Sequence, residues 1–140
     1  MQSNDNSIYL KAPTKLTRVP MIRTAVYPGF PTDAGPILIS MLSISKGTSV
    51  FVENIFESRY KYIDELKRFG AKIKTEGKVA VIEGVRKLSA ANVRCTDLRG
   101  GAALVLAGLV AEGETKISEI HHIERGYDDI VGTLSSVGAI

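Results

Sequence analysis

Cysteine occurs once in these 140 residues, tryptophan not at all, histidine twice, and aromatic residues make up only 6%. A single cysteine, Cys95, excludes an internal disulfide framework and suits a reducing cytoplasm. The two histidines are adjacent, His121 and His122, and read as pointing to opposite faces of a strand. That lacks the spacing and partners of a metal site, so neither a metal nor a cofactor is expected. Few aromatics, without the aromatic and basic interleaving expected on a stacking platform, argue against nucleic-acid binding of that kind. The longest apolar runs, around Ile37 to Ile44 and Ala102 to Ala111, stop well short of the roughly 20 residues a membrane span needs. The segment Met1 to Lys11 is polar and has no apolar signal core. A soluble, cytoplasmic chain without membrane contact is therefore expected. Charge of one sign is also lacking as a block: the net +3 is spread along the chain, which admits nucleic acid as a partner but does not indicate it. A small or phosphorylated anion would use a few well-placed arginines equally well.

What is present is a repeat. A Thr-Asp pair, an apolar helix-length run, a glycine, a β-rich stretch, an arginine and a second helix ending in Gly-Ala occur twice in that order. Gly47 and Gly113, Glu53 and Glu119, and Arg59 and Arg125 all stand 66 residues apart. A register this regular implies one structural unit used twice. With 44% hydrophobic and 24% charged residues the chain has the composition of a globular domain.

Ser7 to Leu10 and Met21 to Tyr27 read as strands, and Tyr27 to Pro36, rich in proline and glycine, as an ordered loop. Pro36 suits the first turn of a helix whose run Ile37 to Ile44 is apolar at nearly every angle, so this helix should be buried all round. Thr48 to Val52 reads as a strand. Ser58 is expected to cap a surface helix with Ile63, Leu66 and Phe69 on its apolar stripe, closed by Gly70. Ala71 to Lys74 and Val79 to Val85 form a hairpin turning near Glu76 and Gly77. The second copy is expected to have a strand at Asn92 to Cys95, a small-residue helix at Gly101 to Ala111, a strand at Thr115 to Ile120 and a helix from about Tyr127 to Val137. The unit is thus β-α-β-α-β-β in an α/β (α+β) fold, complete over about 19–88 and incomplete over about 89–140. The 140 residues read as a single partial domain, an excerpt of something larger. Its open strand edges would favour a homodimer.

Four strings go further: PGFPTD at Pro28 to Asp33, ENIFESRY at Glu53 to Tyr60, TDLRGGAALVLAGLVAEGET at Thr96 to Thr115, and HIERGYDD at His122 to Asp129. From about Val19 to Ile140 the chain resembles the enolpyruvyl transferases, and most closely the branch acting on a UDP-sugar. The sister branch, which acts on shikimate 3-phosphate, shares the fold but is not expected to carry PGFPTD and HIERGYDD together. The resemblance implies two domains, each of three such units in an inside-out α/β barrel with its inner helices buried, and a ligand cleft between them. It also implies the reaction: transfer of the enolpyruvyl group of phosphoenolpyruvate to the 3′-hydroxyl of UDP-N-acetylglucosamine, releasing phosphate, in peptidoglycan precursor synthesis. This chain would supply part of one domain and be inactive alone.

By the same resemblance Asp33 contacts the acceptor hydroxyl and serves as base. Asp97 and Arg99 reach the cleft, Arg125 holds phosphoenolpyruvate, and Ile55 meets the uridine nucleotide through its backbone. From the residues alone, other readings stand beside these. An Asp before a helix is as readily an N-cap. Asp97 and Arg99, two apart, can pair with one another or form a salt bridge between units, and Ile55 can be an ordinary buried aliphatic. Arg59 reads as a structural or domain contact. Cys95 alternates with Val93 as an inward strand residue and reads as a core thiol. Gly100 and Gly101 lack the G-x-x-x-x-G-K-[ST] pattern of a phosphate loop and read as permitting close helix packing. A non-catalytic nucleotide-sugar or RNA-binding module of the same repeat fold is the alternative reading of the whole.

Overall fold

The computed structural model describes residues 2–4 and 6–139; Met1, Asp5 and Ile140, all within the expected domain, lie outside the described residues. A short antiparallel pair, β1 (Gln2–Asn4) and β2 (Ser7–Tyr9), precedes the repeats. The first unit runs β3 (Met21–Arg23), α1 (Gly35–Leu42), β4 (Thr48–Val52), α2 (Lys61–Arg68), β5 (Lys72–Glu76) and β6 (Val79–Glu83), which is the expected order. Its sheet has the order β3-β4-β6-β5, with β3 parallel to β4 and the remaining neighbours antiparallel. The β5–β6 hairpin turns at Gly77, whose φ of +53° is a conformation that glycine adopts without a Cβ clash. The second unit contributes β7 (Asn92–Arg94), α3 (Leu98–Val110) and β8 (Lys116–Ser118), with β7 and β8 again parallel, then α4 (His121–Glu124) and α5 (Ile130–Ser136).

The repeat is structural as well as sequential. The parallel bridge between Thr17 and Lys46 recurs between Ser89 and Glu112, and Gly47 and Gly113 share φ values of 104° and 106°. Helices α1 and α3 pack together, and the buried Ser40 hydroxyl donates to the Ala103 carbonyl at 3.0 Å. Glycine lets α3 approach its neighbours: a Cβ on Gly100 would lie 2.7 Å from that of Tyr62, and one on Gly101 would lie 2.6 Å from Ile123. Ile39, Phe51, Leu66, Ile82 and Leu104 belong to one core shared by both units, with Val93 and Ala107 extending it into the second.

Several expectations are corrected. Helix α1 is not buried all round. Ile37 and Met41, four apart on one face, are 36% and 43% exposed, because α3 and the Phe51 side of the sheet cover only the opposite face. Strand β3 ends at Arg23, since Ala25 turns back to bond the Phe30 carbonyl at 3.0 Å. Ser58 does not cap α2. It takes a left-handed φ of +55°, and the helix begins after Tyr60 without a side-chain cap. His121 and His122 lie in the first turn of α4, rings 4.1 Å apart, because Glu119 at φ +58° ends the strand direction before them. The last helix begins at Ile130 rather than near Tyr127, where Asp129 accepts from the Gly132 N–H at 2.8 Å and sets its start. Among the described residues no helix is long and apolar enough to cross a membrane.

Candidate active site

Candidate site residues of the two units meet in an open cleft of about 420 Å³. From the first unit come Asp33, the segment Phe56 to Arg59, and Lys61; from the second come Thr96 to Arg99 and Arg125. All but Arg125 stand where a strand passes into a helix or in that helix's first turn, whereas Arg125 stands at the C-terminal end of α4, and such junctions free side chains from the packing that occupies strand and helix faces.

Asp33 sits in a 3₁₀ turn, Thr32–Ala34, just ahead of α1. It does not cap that helix: Ala34 holds the cap position, and no side chain bonds there. Its carboxylate is held by two guanidiniums instead. Oδ1 accepts from Arg59 Nη2 at 2.6 Å, and Oδ2 accepts from Arg99 Nη2 at 3.0 Å. The hydrogen bond from Arg59 is the largest cause holding this carboxyl below the usual carboxylate range, and Arg99 adds to it against a smaller desolvation cost. The Asp33 side chain remains 54% exposed, so the acid is accessible to a ligand in the cleft. Arg99 also donates to the Tyr127 hydroxyl at 3.3 Å; that bond and Asp33 push its own pKa up. The Arg59 guanidinium lies 5.0 Å from the centre of the Phe56 ring, within cation–π range. Arg125 ends α4 and lines the same cleft.

The cleft thus presents three carboxylates, Asp33, Glu57 and Asp97, among four cations, Arg59, Lys61, Arg99 and Arg125, and Asp33 is the carboxylate held by two of the guanidiniums. Guanidiniums recognise carboxylate and phosphate oxygens in pairs of parallel hydrogen bonds, so the arrangement suits an anionic ligand that must also lie near an acid.

Of the residues expected at a site, Asp33, Asp97, Arg99 and Arg125 all line this cleft. Asp97 and Arg99 do not pair with each other. Asp97 caps α3, its Oδ1 accepting from the Gly100 N–H at 2.8 Å and its Oδ2 from the Thr96 hydroxyl at 3.1 Å, while Arg99 reaches across to the first unit. Ile55 does not line the cleft; it is 39% exposed, not an ordinary buried aliphatic, and its N–H donates to Glu53 Oε1 at 2.8 Å. Cys95 is buried, and burial first of all pushes its thiol pKa up, as for a core thiol. Among the described residues no group of three or more His, Cys, Asp or Glu stands where it could hold a metal ion.

Arg59 is the residue that sequence reasoning placed elsewhere. Its signal was in the register: it stands 66 residues before Arg125, so each unit sends an arginine from the same repeat position into one cleft. Glu53 was also passed over, although it organises the first-unit side of the cleft. It is 2% exposed, and its carboxylate accepts from the Thr24 and Thr32 hydroxyls and from the N–H groups of Ile55 and Phe56. These bonds hold its pKa down although burial, the largest single influence, opposes them.

The sequence profile of the EPSP synthase (3-phosphoshikimate 1-carboxyvinyltransferase) family matches residues 1–134. The chain is 58% identical over 118 residues to the UDP-N-acetylglucosamine 1-carboxyvinyltransferase of Desulfofundulus thermocisternus, covering 84% of this chain and 49% of that protein. It is 47% identical over 139 residues to UDP-N-acetylglucosamine 1-carboxyvinyltransferase 1 of Clostridium perfringens (strain 13 / Type A), covering 99% and 33%. Among solved structures, the enolpyruvyl transferase NikO from Streptomyces tendae superposes with a TM-score of 0.81 at 30% identity, over 90% of this chain and 29% of that one. EPSP synthase from Acinetobacter baumannii superposes with a TM-score of 0.55 at 26% identity, over 84% and 28%. The chain spans about a third to a half of the length of these two curated relatives.

Proposed function

The chain belongs to the EPSP synthase family of enolpyruvyl transferases, and from that premise we propose that it forms one wall of the active site of a UDP-N-acetylglucosamine 1-carboxyvinyltransferase. In the reaction, the 3′-hydroxyl oxygen of UDP-N-acetylglucosamine bonds to C2 of phosphoenolpyruvate, the bond from C2 to the phosphate oxygen breaks, and the hydroxyl proton passes to a base. Asp33 is that base. A carboxylate is weak toward an alcohol, so its contribution lies in aligned proton transfer as the bond forms, worth about 10² to 10⁴-fold. Arg99 and Arg125 neutralise the phosphate and carboxylate of phosphoenolpyruvate, and Arg59 joins them from the first unit. Ile55 meets the nucleotide at the rim through its backbone, and Asp97 fixes the α3 terminus from which Arg99 projects. The names of the relatives support the substrate assignment.

The observation that carries this reading is an accessible carboxylate, that of Asp33, gripped by arginines from both units. On it, the chain works in the cytoplasm in peptidoglycan precursor synthesis, needs no cofactor, metal, nucleic acid or membrane, and is inactive without the opposite wall of the cleft. Exposed Ile37 and Met41 favour self-association of the isolated chain into a homodimer, which sedimentation at rising concentration would detect.

The test is made in the longer polypeptide that carries this chain. Asp33→Asn or Arg99→Ala should lower UDP-N-acetylglucosamine-dependent phosphate release by about 10²-fold or more with the thermal midpoint nearly unchanged. A fully active double variant would remove both residues from the site. Substrate-dependent phosphate release by the 140-residue chain alone would overturn the claim that the opposite wall is needed.

A further inference from the structure

We propose that Glu53 is a positioning residue for this site: a buried carboxylate that clamps the Asp33 loop to the Arg59 loop and so sets where their ion pair stands. The proposal rests on the reading of Asp33 as the acid of the site.

A carboxylate as buried as Glu53 is tolerated only when its lone pairs are filled. Here they are filled by groups of the two loops that carry the ion pair. Oε2 accepts from the hydroxyl of Thr32, the residue before Asp33, at 2.8 Å. Oε1 accepts from the N–H groups of Ile55 at 2.8 Å and Phe56 at 3.2 Å, where the chain leads through left-handed Ser58 to Arg59. The third bond to Oε1 comes from the Thr24 hydroxyl at 2.8 Å, whose direction is fixed because the same oxygen accepts the Asn54 N–H at 2.7 Å. Neutral donors do not cancel the charge, so the carboxylate holds each loop through charge-assisted, directional bonds. The ring of Phe56, beneath the Arg59 guanidinium, is set by the same clamp.

The second unit supplies an internal control. Glu119, at the repeat position of Glu53, is exposed and faces His121 at 3.5 Å. Cys95 stands in the place of Thr24: Thr24 N–H donates to Val52 and Cys95 N–H to Ser118, both at 3.0 Å, and those two acceptors are themselves 66 residues apart. The Thr96 hydroxyl turns to Asp97 rather than to Glu119. The second unit therefore keeps the acid without the clamp, and its Asp97 serves as a helix cap. The clamp is built in the unit that holds a carboxylate out to the arginines.

The experiment follows the side-chain carboxyl carbon of Asp33 by NMR as the 140-residue chain is acidified. The charged groups facing Asp33 are Arg59 and Arg99, with Glu57, Lys61, Asp97 and Arg125 further along the cleft, and the Glu53 and Thr32 variants leave all of them in place. Glu53→Ala should move the Asp33 midpoint up toward the ordinary carboxylate range, with the sign and comparable size seen in Arg59→Ala, while Asp64 on α2 does not move. Glu53→Gln keeps an oxygen for the two amides and should restore most of the wild-type midpoint. A residue that served folding alone would lower the thermal midpoint and leave Asp33 where it was, so a folded Glu53→Ala chain with an unshifted Asp33 overturns the proposal. If Glu53→Ala does not fold, Thr32→Val removes one arm only: a smaller upward shift supports the clamp, and no shift overturns it. No substrate enters this measurement. An unshifted Asp33 counts against the clamp alone, whereas an active Asp33→Asn enzyme counts against the reading of the site.

Discussion

At the scale of residues, Asp33 and Glu53 both titrate lower in the folded chain than unfolded, for different reasons. Arg59 and Arg99 hold the first down, and hydroxyls and amides hold the second. A carboxyl with a depressed folded pKa contributes stability that is full above its unfolded value, roughly 4, and is lost as pH falls through the folded value. The thermal midpoint of the chain should therefore drop as pH is lowered from about 5 toward 2, and Glu53→Gln should flatten that drop. Asp33 contributes the smaller share, because solvent screens an ion pair on a side chain this exposed. A melting series on both chains checks this, and parallel curves would contradict it. The residue scale is also where sequence reading reached least far. Spacing placed Arg99 beside Asp97, yet a guanidinium on a long stem swings to whichever carboxylate is unoccupied. The Asp97 carboxylate is already filled by the α3 terminus.

At the scale of elements, Asp97→Ala should cost about 1 kcal/mol by uncapping α3, and Asp97→Asn should cost almost nothing, since an amide oxygen caps equally well. Comparing the two in the longer enzyme separates the cap from any need for charge: a stable but inactive Asp97→Asn would show that the charge itself takes part. Gly101→Ala should destabilise by about 1–3 kcal/mol, because the added methyl meets Ile123 and the Cys95 sulfur and would force α3 off α4. Equilibrium denaturation measures both. Elements were legible where a local rule governs them. The stripe of Ile63 and Leu66 and the stop at Gly70 announce α2, and Gly77 announces the β5–β6 turn. They were illegible where a non-glycine residue takes a left-handed turn, as at Ser58 and Glu119, since that choice is imposed by what the flanking chain must reach. Burial of α1 was overread for a related reason: an apolar face says what it would gain from cover, and only the fold says whether cover is there.

At the scale of the whole molecule, one core runs through both units, so they should not melt separately. Leu104→Ala, fully buried where α3 meets the first unit, should cost about 2–5 kcal/mol. The far-UV and tyrosine signals of that variant should still fall together in a single transition. Two separated transitions would mean that the first unit stands without the second. The ion pair between Asp33 and Arg99 crosses the same junction. The cleft takes its acid and one arginine from the first copy and its remaining arginines from the second. Neither copy holds all of these groups, so an anion lodged in the cleft would staple one copy to the other, and its binding should raise the melting point of both together.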